Sequence, residues 1–112
     1  MVRIAVCSRN GIAVDEHFSR TTCFYIYDVG RNTIGLASMR LAPASGEGYD
    51  LERLRLVRNL LHDCEFVFAF MIAPELRRWF EDNSMTVITG ERGVPELIGA
   101  IKELKKKELS HA

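Results

Sequence analysis

The sequence predicts an α/β fold in which a five-stranded mixed sheet is flanked by helices. Three strand-like segments come first in the 112-residue chain, and strand and helix patterns then alternate. A nearly unbroken apolar run at residues 65–72 is typical of a central parallel strand. Because alternating strands and helices are joined by right-handed crossovers, we expect the later strands to be parallel.

The first half of the chain predicts three strands. Residues 2–7 carry β-branched side chains at alternate positions and end at a turn cluster, 8–11. Residues 23–29 are aromatic or β-branched almost throughout, as in a strand that is buried on both faces. After a short turn, residues 33–40 are expected to pair with 23–29 as an antiparallel hairpin.

The second half predicts three helices and two further strands. Asp50 can cap the first helix, since its side chain can accept hydrogen bonds from free amides in the first turn. Pro74 suits the start of a second helix that ends near Asn83, and Pro95 suits the start of the last one. Residues 85–89 form the remaining strand. On the first helix we expect an apolar stripe at Leu51, Leu54, Val57, Leu60 and Leu61, with Arg53, Arg55, Arg58 and Asn59 on the other surface.

Composition indicates one globular domain over residues 1–112. Hydrophobic residues make up 47% and charged residues 27% of the chain, and its formal net charge is zero. Nucleic-acid binders normally carry a basic excess, so no nucleic-acid partner is expected. No apolar run approaches the roughly 18 to 20 residues that span a bilayer, and the first residues do not resemble a signal peptide. We therefore expect a cytoplasmic protein with no membrane partner.

Sequence motifs for common catalytic sites are missing. The chain has no G-x-S-x-G elbow, no G-x-x-x-x-G-K-[ST] phosphate loop and no G-x-G-x-x-G fingerprint. Its three cysteines, Cys7, Cys23 and Cys64, are an odd number in a chain expected in a reducing compartment, which disfavours a disulfide framework. They include no C-x-x-C pair, which disfavours a closed zinc knuckle.

The segment between the first two strands is the strongest candidate for a functional site. It is about fifteen residues long, above the usual range for a compact domain, and it contains His17 between Cys7 and Cys23. An imidazole and two thiolates suit zinc, copper or an iron–sulfur centre. A backbone-bonded loop histidine and two small buried cysteines are the alternative interpretation.

The same segment resembles the dinitrogenase iron–molybdenum cofactor biosynthesis family, which includes NifX-like carriers. Residues 15–20 (DEHFSR) and 24–28 (FYIYD) are similar to the family stretch D-x-H-F-G-R-a-x-x-F-x-I-Y-D. Residues 4–6 (IAV) and 61–67 (LHDCEFV) also look like that family, and the similarity extends over residues 2–104. One departure is Ser19, which stands where the motif has glycine.

The resemblance implies a ribonuclease-H-like three-layer fold with strand order 3-2-1-4-5 and strand two antiparallel to the rest. It also implies a non-catalytic nitrogen-fixation accessory protein that binds or carries an iron–sulfur cluster or an iron–molybdenum cofactor precursor. His17 matches the motif histidine, a cluster contact, and Arg20 matches the motif arginine, which could pair with an anionic cluster. Cys7 is the next expected metal ligand, and Ser19 completes the expected cofactor-binding set. Implied partners are metallocluster biosynthesis or acceptor proteins, and a homo-oligomer is left open.

Two other functions remain open from the sequence. A cofactor-free module that docks to a larger enzyme would need an exposed apolar patch, for which Phe18 and Tyr49 are candidates. An enzyme in the manner of ribonuclease H would need several converging carboxylates. The predicted strands carry only Asp28 and Glu65 as acids, so this second alternative is disfavoured.

Overall fold

The computed structural model describes residues 2–43 and 50–110. The strands are β1 Val2–Cys7, β2 Ala13–Val14, β3 Cys23–Val29, β4 Ile34–Leu41, β5 Phe66–Ala69, β6 Thr86–Thr89 and β7 Arg92–Gly93. The helices are α1 Leu51–Leu60, α2 Pro74–Asp82 and α3 Leu97–Ser110. Within these described ranges, no helix has both the length and the apolar character needed to cross a bilayer.

The main sheet has the predicted mixed topology. Its order is β4-β3-β1-β5-β6, which is 3-2-1-4-5 when only the five strands of this sheet are counted. Strand β3 is antiparallel to both β1 and β4, whereas β5 is parallel to both β1 and β6. The α/β class and the antiparallel second strand are therefore confirmed. The two-residue strands β2 and β7 pair in a separate small sheet, which is too short to leave a periodic signal in the sequence.

Helices cover the two faces of the sheet unequally. Side chains from α1 and α2, including Leu54 and Phe80, form one core with β1 residues such as Ala5. Helix α3 forms the other core, where Leu97 packs with Ile4 and its neighbours. Strand β1 lies in the middle of the sheet, and its residues 4–7 are fully buried. Apolar side chains on both faces explain why β1 shows no simple alternation of apolar and polar residues.

The predicted helix starts are confirmed except for the last one. The Asp50 carboxylate accepts a hydrogen bond from the Arg53 amide at 3.1 Å, and Pro74 is the first residue of α2. Pro95 lies in a 3₁₀ turn, Val94–Glu96, so α3 itself begins two residues later.

The apolar run at 65–72 is longer than strand β5, which it contains. Strand β5 ends at Ala69 because the next amide, that of Phe70, donates to the Glu16 carbonyl at 3.1 Å.

A network of ion pairs joins the amino-terminal end of β1 to its neighbours. Arg3 Nε lies 2.8 Å from Asp28 on β3, and Arg3 Nη1 lies 2.9 Å from Asp63. Arg40 on β4 contacts the other oxygen of Asp63 at 2.6 Å. Hydrogen bonds from Arg40 hold the pKa of Asp63 well below its usual range, and hydrogen bonds from Arg3 lower the pKa of Asp28. Both carboxylates therefore stabilise the fold in their ionised form.

Acid should destabilise the protein by weakening this network. In the variant Asp63→Asn, this loss of stability on acidification should be smaller. The pKa of Asp63 is lowered in the folded chain, so its contribution is fully present above its ordinary pKa of 3.8 and is lost as the pH falls below that value. At neutral pH we expect Asp63→Asn to reduce the free energy of unfolding by about 1 to 2 kcal/mol. Urea unfolding should show a smaller loss of stability between neutral and acid pH for the variant. An equal loss in both proteins would contradict this role.

Candidate functional site

Backbone hydrogen bonds fix the position of His17. The preceding residue, Glu16, donates its amide to the Cys7 carbonyl at 3.2 Å and accepts from the Phe70 amide at 3.1 Å. The following residue, Phe18, donates its amide to the Met71 carbonyl at 3.0 Å. These bonds connect the loop after β1 to the segment after β5. His17 consequently lies beside the carboxyl ends of two adjacent parallel strands, an edge where α/β proteins commonly bind ligands.

Phe18 is an anchor of this loop in the protein core. Its side chain is 0% exposed, and its ring lies 6.0 Å from that of Phe24 and 5.3 Å from that of Phe80, measured between centroids. The expectation that Phe18 belongs to an exposed docking patch is therefore wrong. The other candidate for that patch, Tyr49, lies outside the described residues.

Arg53 holds the loop from the helical side. Its guanidinium donates from Nη2 to the Thr21 carbonyl and from Nε to the Pro43 carbonyl, each at 2.8 Å, and lies 5.3 Å from the centroid of the Phe18 ring. The residue is only 4% exposed, so the expectation that it lies on the outer surface of α1 is wrong. Burial lowers its pKa. Two carbonyl acceptors and an aromatic ring compensate for that burial.

The imidazole of His17 is oriented by the 3₁₀ turn that follows it, Phe18–Arg20. The Ser19 amide donates to His17 Nδ1 at 3.3 Å, and Ser19 Oγ lies 2.9 Å from the same nitrogen. A backbone amide can only donate, so Nδ1 acts as an acceptor and the neutral ring carries its proton on Nε2. In the part of the chain that the structure describes, Nε2 makes no hydrogen bond, which leaves it available to a ligand.

An open depression of about 410 Å³ contains this ring. It is lined by Arg9, Asp15, Glu16, His17, Ser19, Arg20 and Phe70. The Asp15 carboxylate accepts a hydrogen bond from the Arg9 amide at 2.9 Å. Arg20 is exposed, and its guanidinium makes no ion pair with any described residue. The depression thus brings together His17, Ser19 and Arg20 from the predicted site, with a free cation beside the free imidazole nitrogen.

Cys7 is not brought to this depression. Its side chain is fully buried among the residues that pack beneath α1 and α2, and it does not line the depression. Burial raises the pKa of its thiol to about 12, so the neutral thiol, a poor metal ligand, is the stable form. The expectation that Cys7 is a second ligand gains no support from this placement. Cys7 ends the central strand with its side chain turned inward, although it lies next to the loop in sequence.

The donor set is sparse. Among the described residues, no three histidine, cysteine, aspartate or glutamate side chains lie together in a metal-binding cluster. The iron atoms of a cluster bound here would therefore be coordinated mainly by the sulfides of the cluster or by ligands from outside the described residues. Phe70 is the lining residue that the sequence did not indicate. In the sequence it belongs to an apolar run that was expected to be a buried strand. The structure shows that β5 ends at Ala69, so Phe70 lies beyond the strand and lines the depression.

Comparisons with known proteins identify the family. A family model described as dinitrogenase iron-molybdenum cofactor matches residues 1–107. The chain belongs to this family. No curated protein matches the chain in sequence.

Two solved structures share the fold of this family member. The crystal structure of PH0822 has a TM-score of 0.68 and 21% sequence identity, with 88% of this chain and 90% of that chain covered. The NMR structure of TM1290 from Thermotoga, described as a candidate NifB protein of the DUF35 family, has a TM-score of 0.55 and 19% identity. In that comparison 92% of this chain and 89% of the other are covered. At these identities the likeness concerns the fold.

Removal of the Arg53 side chain should destabilise the loop that carries His17. Arg53→Ala leaves the carbonyls of Thr21 and Pro43 without their donor and exposes a gap against Phe18. We expect the free energy of unfolding to fall by about 2 to 4 kcal/mol in urea titrations. The matched control is Arg55→Ala, which removes an exposed arginine of the same helix and should change stability by less than about 0.5 kcal/mol. Equal effects would contradict the structural role of Arg53.

The three cysteines should react unequally with a thiol reagent. Cys7 and Cys64 are buried, and burial raises the pKa of each thiol to about 12, whereas Cys23 is partly exposed. At about pH 8, dithionitrobenzoate should modify only Cys23 rapidly in the folded protein, since the reactive species is the thiolate. Guanidinium should make all three thiols reactive. Rapid native-state modification of Cys7, located by peptide mass spectrometry, would contradict its burial.

Proposed function

We propose that this chain binds and carries an iron–sulfur cluster or a precursor of the iron–molybdenum cofactor in the depression around His17. The proposal rests chiefly on one observation: His17 and Arg20 line the same open depression, where Nε2 of His17 and the guanidinium of Arg20 have no partner among the described residues. Membership of the dinitrogenase iron-molybdenum cofactor family supports this cargo over other anions. The cluster is treated as cargo, not as a resident cofactor.

The residues of the depression have distinct roles in this proposal. His17 contacts the cargo through Nε2 by donating its N–H to a sulfide. Binding of iron through Nε2 would instead use the other tautomer, in which the ring proton lies on Nδ1 and is donated to Ser19 Oγ. Arg20 attracts the negative charge of the cluster or of a carboxylate attached to it. Ser19 is a positioning residue that holds the ring through its two contacts with Nδ1.

Weak, accessible binding suits a carrier. A single imidazole and a solvent-exposed arginine leave most of the cargo surface open to a donor or an acceptor protein. A cage of three or four protein ligands would hold metal too firmly for rapid transfer. We infer that the partners are proteins of metallocluster biosynthesis or the acceptors of its product, and that the chain itself has no catalytic role.

Anaerobic reconstitution with iron and sulfide tests the assignment of His17. The wild-type chain should acquire visible charge-transfer absorption together with bound iron and sulfide. We expect His17→Ala to weaken cluster binding at least about tenfold, a loss comparable to that seen when the support of a metal ligand is removed. The matched control, His62→Ala, removes an exposed histidine at the end of α1 and should bind like the wild type. Equal cluster binding by the wild type and His17→Ala would reject His17 as the contact.

The same titration distinguishes the other residues. Arg20→Ala should weaken binding about fivefold, because one exposed charge contact contributes about 1 kcal/mol. Arg55→Ala is its control for a general loss of positive charge. Cys7→Ser should leave the cluster spectrum unchanged, since the thiol is buried away from the depression. A spectrum altered by Cys7→Ser but not by His17→Ala would overturn this arrangement of the site.

A further inference from the structure

Strand β4 is an exposed edge of the main sheet. Within the described ranges it pairs only with β3, and it is eight residues long, whereas the strand at the opposite edge, β6, has four. Natural proteins usually protect long edges with proline, with several charged side chains or with bulges. Strand β4 contains no proline, Arg40 is its only charged residue, and its one irregularity is in the pairing with β3. Its outer backbone groups are therefore open to another strand.

One face of β4 is also apolar and uncovered. Leu36, Met39 and Leu41 are 54%, 55% and 78% exposed. Leu36 and Met39 pair with Tyr27 and Tyr25, two residues of β3 that belong to the core on the α3 side. Opposed residues of an antiparallel pair share a face, so these side chains project on the α3 side, beyond the area that α3 covers.

The apolar residues of this face have symmetric spacing. Ile34, Leu36, Met39 and Leu41 are separated by two, three and two positions. An irregularity in the pairing of β3 with β4 lets all four share one face, because the register changes between Ser38 and Leu36 and leaves Ala37 unpaired. A two-fold axis between Ala37 and Ser38 would place this pattern onto itself. Few arbitrary partner strands would match such a pattern as well as a second copy does.

We propose that two copies of the chain associate through antiparallel pairing of their β4 strands. In this register Leu36 lies opposite Met39 of the second copy, and Ile34 lies opposite the second copy's Leu41. Both pairs occur twice by symmetry, and the two main sheets continue into one sheet of ten strands. The contact is isologous and closes on itself, so it yields a dimer without propagating into a filament.

Charge placement agrees with this pairing. Arg40 lies opposite Gly35 of the second copy, so the two Arg40 residues are five positions apart along the strands, about 16 Å. That separation exceeds the screening length of about 8 Å at physiological ionic strength. Each guanidinium is also neutralised within its own chain by Asp63. None of the residues that line the His17 depression lies on β4, so the dimer leaves that depression open.

Sedimentation of the full-length chain over a range of concentrations tests the proposal. We expect a reversible monomer–dimer equilibrium in the wild type. Leu36→Glu should weaken dimerisation at least about tenfold, because it places two carboxylates into apolar cross-strand pairs. The matched control is Leu56→Glu, which alters a similarly exposed leucine on α1 and should leave the dimer intact. A monomeric wild type at all concentrations, or equal weakening by both substitutions, would overturn the proposal.

Charge pairing tests the register itself. The double variant Leu36→Glu with Met39→Lys should restore dimerisation, since each new carboxylate then lies opposite a new ammonium group of the second copy. The like-charged double variant Leu36→Lys with Met39→Lys should stay monomeric. Failure of the opposite-charge variant to recover would reject this register.

If any variant unfolds, hydrogen exchange of the wild type decides instead. The outward β4 amides should become more protected as the protein concentration rises. Exchange that does not change with concentration would reject the pairing.

Discussion

The buried guanidinium of Arg53 is the contact on which the geometry of the candidate site depends. It joins α1 to two separate segments of chain through the carbonyls of Thr21 and Pro43, and it lies against the ring of Phe18. A buried cation is tolerated only when its donors are satisfied, so the loop must adopt the path that presents those carbonyls. That path in turn places His17, one residue before Phe18, at the surface. The helix thus influences the position of His17 through the side chain of Arg53.

The loop held by this contact separates buried side chains on one side from solvent-facing side chains on the other. Beneath the loop, Cys7 and Phe18 are sealed in a core of aliphatic and aromatic side chains. Above it, His17 and Arg20 face solvent with few partners of their own. Under the proposed carrier function this division is useful, since a thiol at the depression would compete for the cargo. The Cys7 thiol is buried away from the depression and takes no part in such competition.

Local chemistry made much of the fold predictable from sequence. Asp50 and Pro74 marked helix starts because capping depends on the residue itself and its immediate neighbours. The motif around His17 indicated a loop that the structure places beside an open depression, and its role there stays a prediction. Arg53 was misplaced because its burial depends on carbonyls 32 and 10 positions away along the chain, which no periodicity reveals. The burial of Cys7 was not foreseen for a related reason, since closeness to the loop in sequence carries no information about the direction of its side chain.

The backbone bonds that flank His17 have a thermodynamic consequence for ligand capture. Glu16 and Phe18 are both bonded to the segment after β5, and Ser19 restrains the imidazole ring. Ordering a free loop and its side chain on binding would consume conformational entropy, often more than one weak contact returns. Here that ordering is completed when the chain folds. Under the proposed function, a site with one imidazole and one exposed arginine can therefore retain useful affinity, because neither the loop nor the imidazole ring has to be ordered on binding.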